Sequence, residues 1–115
     1  AVRELGDRSK VVKFVQRTSQ ADYIQVEPNG KCSSWVGKQG GRQVLSLASR
    51  GCFQKGIIQH EFLHAIGMYH EQSRPDRDSY VTINYGNIQS GKEGNFEKVS
   101  WSETLGNPYD YGSVM

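Results

Sequence analysis

Residues 57–71 read IIQHEFLHAIGMYHE, and the rest of the sequence is organised around them. The chain holds three histidines in all, His60, His64 and His70, and they fall within eleven residues as H-E-x-x-H-x-x-G-x-x-H. On a helix, residues four apart stand on one face, one turn above the other. His60 and His64 can therefore aim ring nitrogens at a single ion. Glu61 lies about 100° further round the helix, beside that ion without ligating it. Gly67 can adopt the left-handed conformation that closes a helix, after which the chain can turn and bring His70 back as a third ligand.

This donor set has a chemical meaning. Three histidines and one open position make a catalytic zinc site, whereas a structural site is closed by four protein ligands. Two histidines on zinc with a glutamate as general base is the arrangement of a metalloprotease. Ile57, Ile58, Phe62, Leu63, Ala65 and Ile66 surround the polar trio, which predicts a helix buried on nearly every side. Burying a glutamate and two histidines without partners is costly, and a bound cation removes the cost. The competing reading is an amphipathic helix with ordinary histidines. The short H-E-x-x-H pattern leaves that reading open, and the offsets of Gly67 and His70 weigh against it.

The longer stretch HEFLHAIGMYHEQSRPDRDSY, residues 60–80, resembles the zinc signature of the astacin family, a branch of the metzincin endopeptidases. The family pattern continues from the third histidine into a glutamate and an R-x-D-R-D segment, here Glu71 and Arg74, Asp76, Arg77 and Asp78. YDYGSVM, residues 109–115, resembles the beginning of the family's methionine turn. The resemblance implies an α+β, zincin-like N-terminal subdomain, a twisted mixed β-sheet with an active-site helix, truncated before the C-terminal subdomain. Residues 1–115 would be a partial peptidase domain.

The implied roles follow residue by residue. His60, His64 and His70 would hold one catalytic zinc ion (Zn2+). Glu61 would accept a proton from the zinc-bound water as that water attacks the scissile carbonyl, then pass it to the leaving amine. Cys32, Ser33, Ser34 and Trp35 would form the antiparallel edge strand above the cleft, where an extended substrate can add itself as one more strand. Without the resemblance, a loop covering that edge is an equal alternative. Glu71 would lie near the buried mature N-terminus, and Met115 would form an apolar floor under the zinc. Cys32 and Cys52 match one family disulfide, and the family is secreted or tethered outside the cell.

The remaining sequence bounds these expectations. A length of 115 residues allows one domain. The net charge of +2, with acids and bases interleaved, points to neither nucleic acid nor membrane. No apolar run approaches a membrane span, and there is no N-x-S/T acceptor. Cys32 and Cys52 are the only cysteines; the even count favours a disulfide and an oxidising compartment over free thiols. Residues 1–9 read equally as the tail of a helix or as a frayed terminus. Val11–Val15, Tyr23–Val26, Cys32–Val36 and Val44–Leu47 read as strands, with a hairpin connection through Gly37, Gly40 and Gly41. Residues 74–78 alternate in charge like a solvated turn, whereas the resemblance implies that part of the run packs against and orients the third-histidine loop. Phe96, Val99 and Trp101 read as the anchor of a short helix or turn.

Measured against the family pattern, the sequence stops at Met115, ahead of the His-Tyr that follows in the family, and Val11 stands where the family has its first cysteine. The reading is therefore a zinc-dependent endopeptidase acting on peptides or proteins, outside the cell. A non-catalytic zinc-binding relic of one is the alternative.

Overall fold

A computed structural model describes residues 1–115, in two units: residues 1–68 with Val114, and residues 69–113 with Met115. The first unit begins with a short helix, α1 (Val2–Arg8), followed by three strands, β1 (Tyr23–Glu27), β2 (Cys32–Ser34) and β3 (Arg42–Leu47), and a second helix, α2 (Lys55–Ala65). The sheet order is β1-β3-β2. β1 runs parallel to β3, with Tyr23 opposite Arg42 and Glu27 opposite Ser46. β2 runs antiparallel, with Cys32 opposite Leu47 and Ser34 opposite Leu45, so the glycine-rich segment between them is the expected hairpin connection.

β3 is central: it is the most buried strand and the one paired on both sides. Successive side chains alternate between faces, so Gln43, Leu45 and Leu47 share one. Leu45 and Leu47 join Cys52 and the α2 residues Phe62 and Ala65 in the core. Val2, Leu5 and Phe14 pack around it, and the Phe14 ring meets Phe62 edge-on at 5.2 Å. A disulfide joins Cys32 and Cys52, whose Cα atoms are 5.6 Å apart. It ties the start of β2 to the segment that leads into α2.

Two expectations are corrected here. Val11–Val15 is not a strand: Val12 and Phe14 do turn inward, but the segment joins no ladder. An open cavity of about 590 Å³ lies beside it, lined among others by Phe14, Val15, Tyr23 and Ile24. Alternation marks a face, and a strand also requires a neighbouring backbone. Nor is α2 buried all round. Phe62 and Ala65 are buried, Ile57, Ile58 and Leu63 only partly, and Ile66 is exposed. A single helix against one small sheet has only one face to cover.

The second unit contains no strand. Its backbone is a series of 3-10 turns, Glu71–Ser73, Arg77–Ser79, Tyr85–Asn87 and Glu93–Phe96, fastened by two arginines. Arg74 makes a two-pronged contact with the Asp76 carboxylate at 2.9 and 2.8 Å. It also donates to Glu71 Oε1 at 3.0 Å and to the carbonyls of Pro108 at 3.0 Å and Asn107 at 2.9 Å. Arg77 is 4% exposed. It donates to Asp78, to the Gln72 carbonyl, to the Phe96 carbonyl and to the Tyr85 hydroxyl. The two arginines therefore pack inward while Asp78 stays exposed, so part of the run packs against the loop, as the family resemblance implied, and it is not a wholly solvated turn. Phe96 and Val99 are half-buried, and the Val99 N–H donates to the Ser73 carbonyl at 2.8 Å. Trp101 touches Tyr69 edge-on at 5.3 Å but is largely exposed.

Two measurements check this account. Reducing the Cys32–Cys52 bridge, or replacing both cysteines by alanine, should lower stability by about 3 kcal/mol in urea unfolding. The second measurement concerns pH. The hydrogen bond from Arg74 holds the Asp76 carboxyl below its ordinary value. A depressed carboxylate contributes stability above its unfolded pKa and loses it as pH falls through the folded one. Acid unfolding of Asp76→Asn should thus show a shallower pH dependence than the parent below the ordinary carboxylate range.

Candidate metal centre

α2 carries the first two histidines one turn apart, and their rings stand nearly perpendicular with centroids 4.6 Å apart. Each ring is held by a backbone carbonyl. His60 Nδ1 lies 2.6 Å from the Val114 carbonyl oxygen, and His64 Nδ1 lies 2.8 Å from that of Met68. A carbonyl can only accept, so both Nδ1 atoms carry a proton, which leaves Nε2 as the atom through which each ring can offer a lone pair to a metal. This outer hydrogen bonding fixes tautomer and ring orientation in metal-binding histidines.

The end of α2 explains how Met68 comes to face His64. The Gly67 N–H donates to the His64 carbonyl at 2.8 Å, and the Met68 N–H donates to the Leu63 carbonyl at 3.0 Å. These two bonds make a Schellman cap, which needs a residue at positive φ. Gly67 supplies it at φ 108°. The turn bends the chain back over the last helical turn, and the Met68 carbonyl arrives at the ring of His64. His70 follows two residues later. One ligand atom from each of His60, His64 and His70 can be chosen so that all three lie within 4.8 Å of one another, which positions the three residues to bind one metal ion.

Glu61 sits between the first two histidines in sequence and is 5% exposed. Its Oε2 is buried and accepts no hydrogen bond. Burial pushes the Glu61 carboxyl above its ordinary value, and the neighbouring His60 and His64 pull it partly back. An orphaned carboxylate oxygen beside imidazoles of fixed orientation suits a divalent ion, and three imidazole nitrogens with a nearby carboxylate suit zinc.

The other expected residues fall as follows. Cys32, Ser33 and Ser34 form β2, which is the edge of the sheet and pairs only with β3. Trp35 follows it and is 65% exposed. Glu71 Oε1 accepts from Arg74 and, at 2.8 Å, from the Asp110 N–H. The Glu71 N–H donates to the Met115 carbonyl at 3.1 Å. Sequence reading missed two participants and one buried polar side chain of the sheet. The carbonyls of Met68 and Val114 have no sequence signal, because every residue has one. Gln43 had a signal, a polar side chain in the apolar row with Leu45 and Leu47, and it is buried.

Comparison with known proteins agrees with this geometry. The family model for Astacin, a peptidase family, matches residues 1–115. The chain is 51% identical over 117 residues to zinc metalloproteinase nas-15 of Caenorhabditis elegans, covering 100% of this chain and 20% of that protein. It is 47% identical over 115 residues to high choriolytic enzyme 2 of Oryzias latipes, covering 100% of this chain and 40% of that protein. The structure of high choriolytic enzyme 1, a hatching enzyme zinc-protease from the same fish, superposes with a TM-score of 0.93 at 45% identity. That match covers 99% of this chain and 56% of the other. The chain thus spans well under half the length of these two sequence relatives.

Gly67→Ala tests the link between the helix cap and the ligand. Forcing a side chain into this conformation should cost about 1–3 kcal/mol. Zinc affinity, read by chelator competition, should fall about 10- to 100-fold as the Met68 carbonyl leaves the His64 ring. Unchanged affinity in a folded variant would dissociate that carbonyl from ligand orientation.

Proposed function

This chain belongs to the astacin family of peptidases, and from that premise we propose that the protein carrying it is a zinc-dependent endopeptidase that cleaves peptide bonds in other proteins. The observation that carries the reading is the Glu61 carboxylate, buried with an unpartnered oxygen between two histidines on one helix. A site built only to stabilise the fold has no use for such a group. His60, His64 and His70 would hold one zinc ion. When bound, zinc acidifies water and polarises the carbonyl under attack, without a covalent acyl-enzyme.

The chain's own residues do the rest. Glu61 takes the proton of the attacking water as the new C–O bond forms, and returns it to the amine nitrogen as the C–N bond breaks. Its Oε2, buried and without a hydrogen-bond partner, has room to accept that proton. Cys32, Ser33, Ser34 and Trp35 offer an unpaired sheet edge to an extended peptide. Gly67 shapes the turn toward His70, Met115 supplies an apolar floor, and Glu71 steadies the loop beyond the third histidine. Residues 1–115 act as the zinc-bearing part of a peptidase domain. The Cys32–Cys52 bridge fits a protein working outside the cell.

The test is hydrolysis of casein or a quenched peptide by the protein that carries this chain, with and without chelator, alongside Glu61→Gln. The parent should bind one zinc per chain and lose activity on chelation. Glu61→Gln should keep the zinc and lose about 100- to 10,000-fold in kcat. A parent that retains zinc yet cleaves nothing would refute the peptidase reading and leave a zinc-binding module.

A further inference from the structure

Gln43 is the one polar side chain on the inward face of the central strand, in line with Leu45 and Leu47. A buried primary amide is tolerated only when its donors and acceptor are used, and the partners of Gln43 all lie in one loop. Its Oε1 accepts the Gln39 N–H at 3.0 Å. Its Nε2 donates to the Gly37 carbonyl at 3.0 Å. Gln39 adds bonds from its own Nε2 to the carbonyls of Val36 at 2.9 Å and Gly37 at 3.1 Å. The loop held in this way, residues 35–41, is the one that leaves the edge strand β2.

The loop is also joined to α2. The Gly37 N–H donates to the His64 carbonyl at 2.8 Å. That is the carbonyl to which the Gly67 N–H of the helix cap also donates, so both of its lone pairs are occupied. Gly37 adopts φ 77°, which turns its N–H toward the helix while its carbonyl faces Gln43. The chain of contacts runs from Gln43 through Gly37 to the backbone of a metal-site histidine.

We propose that Gln43 is a positioning residue for substrate: through the Gly37 loop it sets the height of the edge strand above the helix that bears His64. This rests on the reading of β2 as the peptide-binding edge. An extended peptide laid on β2 reaches the metal centre in register only if strand and helix keep a fixed separation. Gln43 fixes it from inside the core, where no substrate touches it. The group it acts through is the backbone of residues 35–37, and its effect should fall on peptides long enough to lie along that backbone.

The experiment compares two quenched peptides in the protein that carries this chain. One extends several residues to the amino side of the cleaved bond, and the other has a single residue there. Gln43→Met keeps the volume and removes the hydrogen bonds. It should retain zinc stoichiometry and lower kcat/KM on the long peptide about 10- to 100-fold, with less than about a threefold change on the short one. General destabilisation would lower both equally, and that result, or no loss on either peptide, would overturn the proposal. If Gln43→Met does not fold, Gln43→Asn, which keeps an amide at the position but withdraws it from the Gly37 carbonyl by one methylene, decides. A loss confined to the long peptide supports the proposal, and equal or absent losses refute it. The two readings fail separately. A parent indifferent to peptide length removes the edge-strand reading itself, whereas a length-dependent parent whose variant keeps that dependence removes only Gln43.

Discussion

The carbonyl oxygen of His64 is the point on which the first unit turns. It accepts the Gly67 N–H that ends the helix and the Gly37 N–H that anchors the loop leaving the edge strand. A main-chain acceptor has two lone pairs, and here both join separate parts of the chain to one helical turn. The ring of the same residue is held by the Met68 carbonyl, which the cap has brought round. Helix termination, loop placement and ligand orientation are thus three results of one local geometry. A helix running one turn further would remove all three, and glycine at position 67 prevents that.

Much of this was readable before any coordinates. The spacing of His60, His64 and His70 announced a shared ion because helical periodicity is a property of the backbone. Gly67 announced a stop because few other residues accept its conformation. Cys32 and Cys52 pointed to a bridge. What sequence could not supply was partnership. Val12 and Phe14 alternate like strand residues and do face inward, yet nothing pairs with their backbone, since a side-chain pattern reports burial and not hydrogen-bonding neighbours. Ile66 looked like core and is exposed, because it lies past the face of α2 that meets the sheet. The carbonyls of Val114 and Met68 were invisible, since main-chain acceptors leave no trace in residue identity. Residues 74–78 read as a solvated turn from charge alone and as partly packed from the resemblance, and the burial of Arg77 favours the second.

The two units solve the same problem with different means. The first encloses a small apolar core of Leu45, Leu47, Cys52, Phe62 and Ala65 and adds a covalent bridge. The second has few buried hydrophobic side chains and relies on guanidinium groups reaching between turns. A planar guanidinium presents five donors in a fixed fork, which lets one side chain satisfy several acceptors at once. Lysine at either place could not replace that geometry.

Arg74 and Arg77 direct only part of their donors to carboxylates; the remainder go to the main-chain oxygens of Gln72, Phe96, Asn107 and Pro108 and to the Tyr85 hydroxyl. Peptide oxygens do not titrate, and guanidinium stays protonated at any pH a protein survives. Added salt or mild acid can therefore weaken the ionic part of each arginine's attachments while the bonds to neutral oxygens persist. The two side chains behave as non-covalent rivets, and the strandless loops they join inherit a tolerance of brine and acidity that ordinary surface ion pairs do not confer.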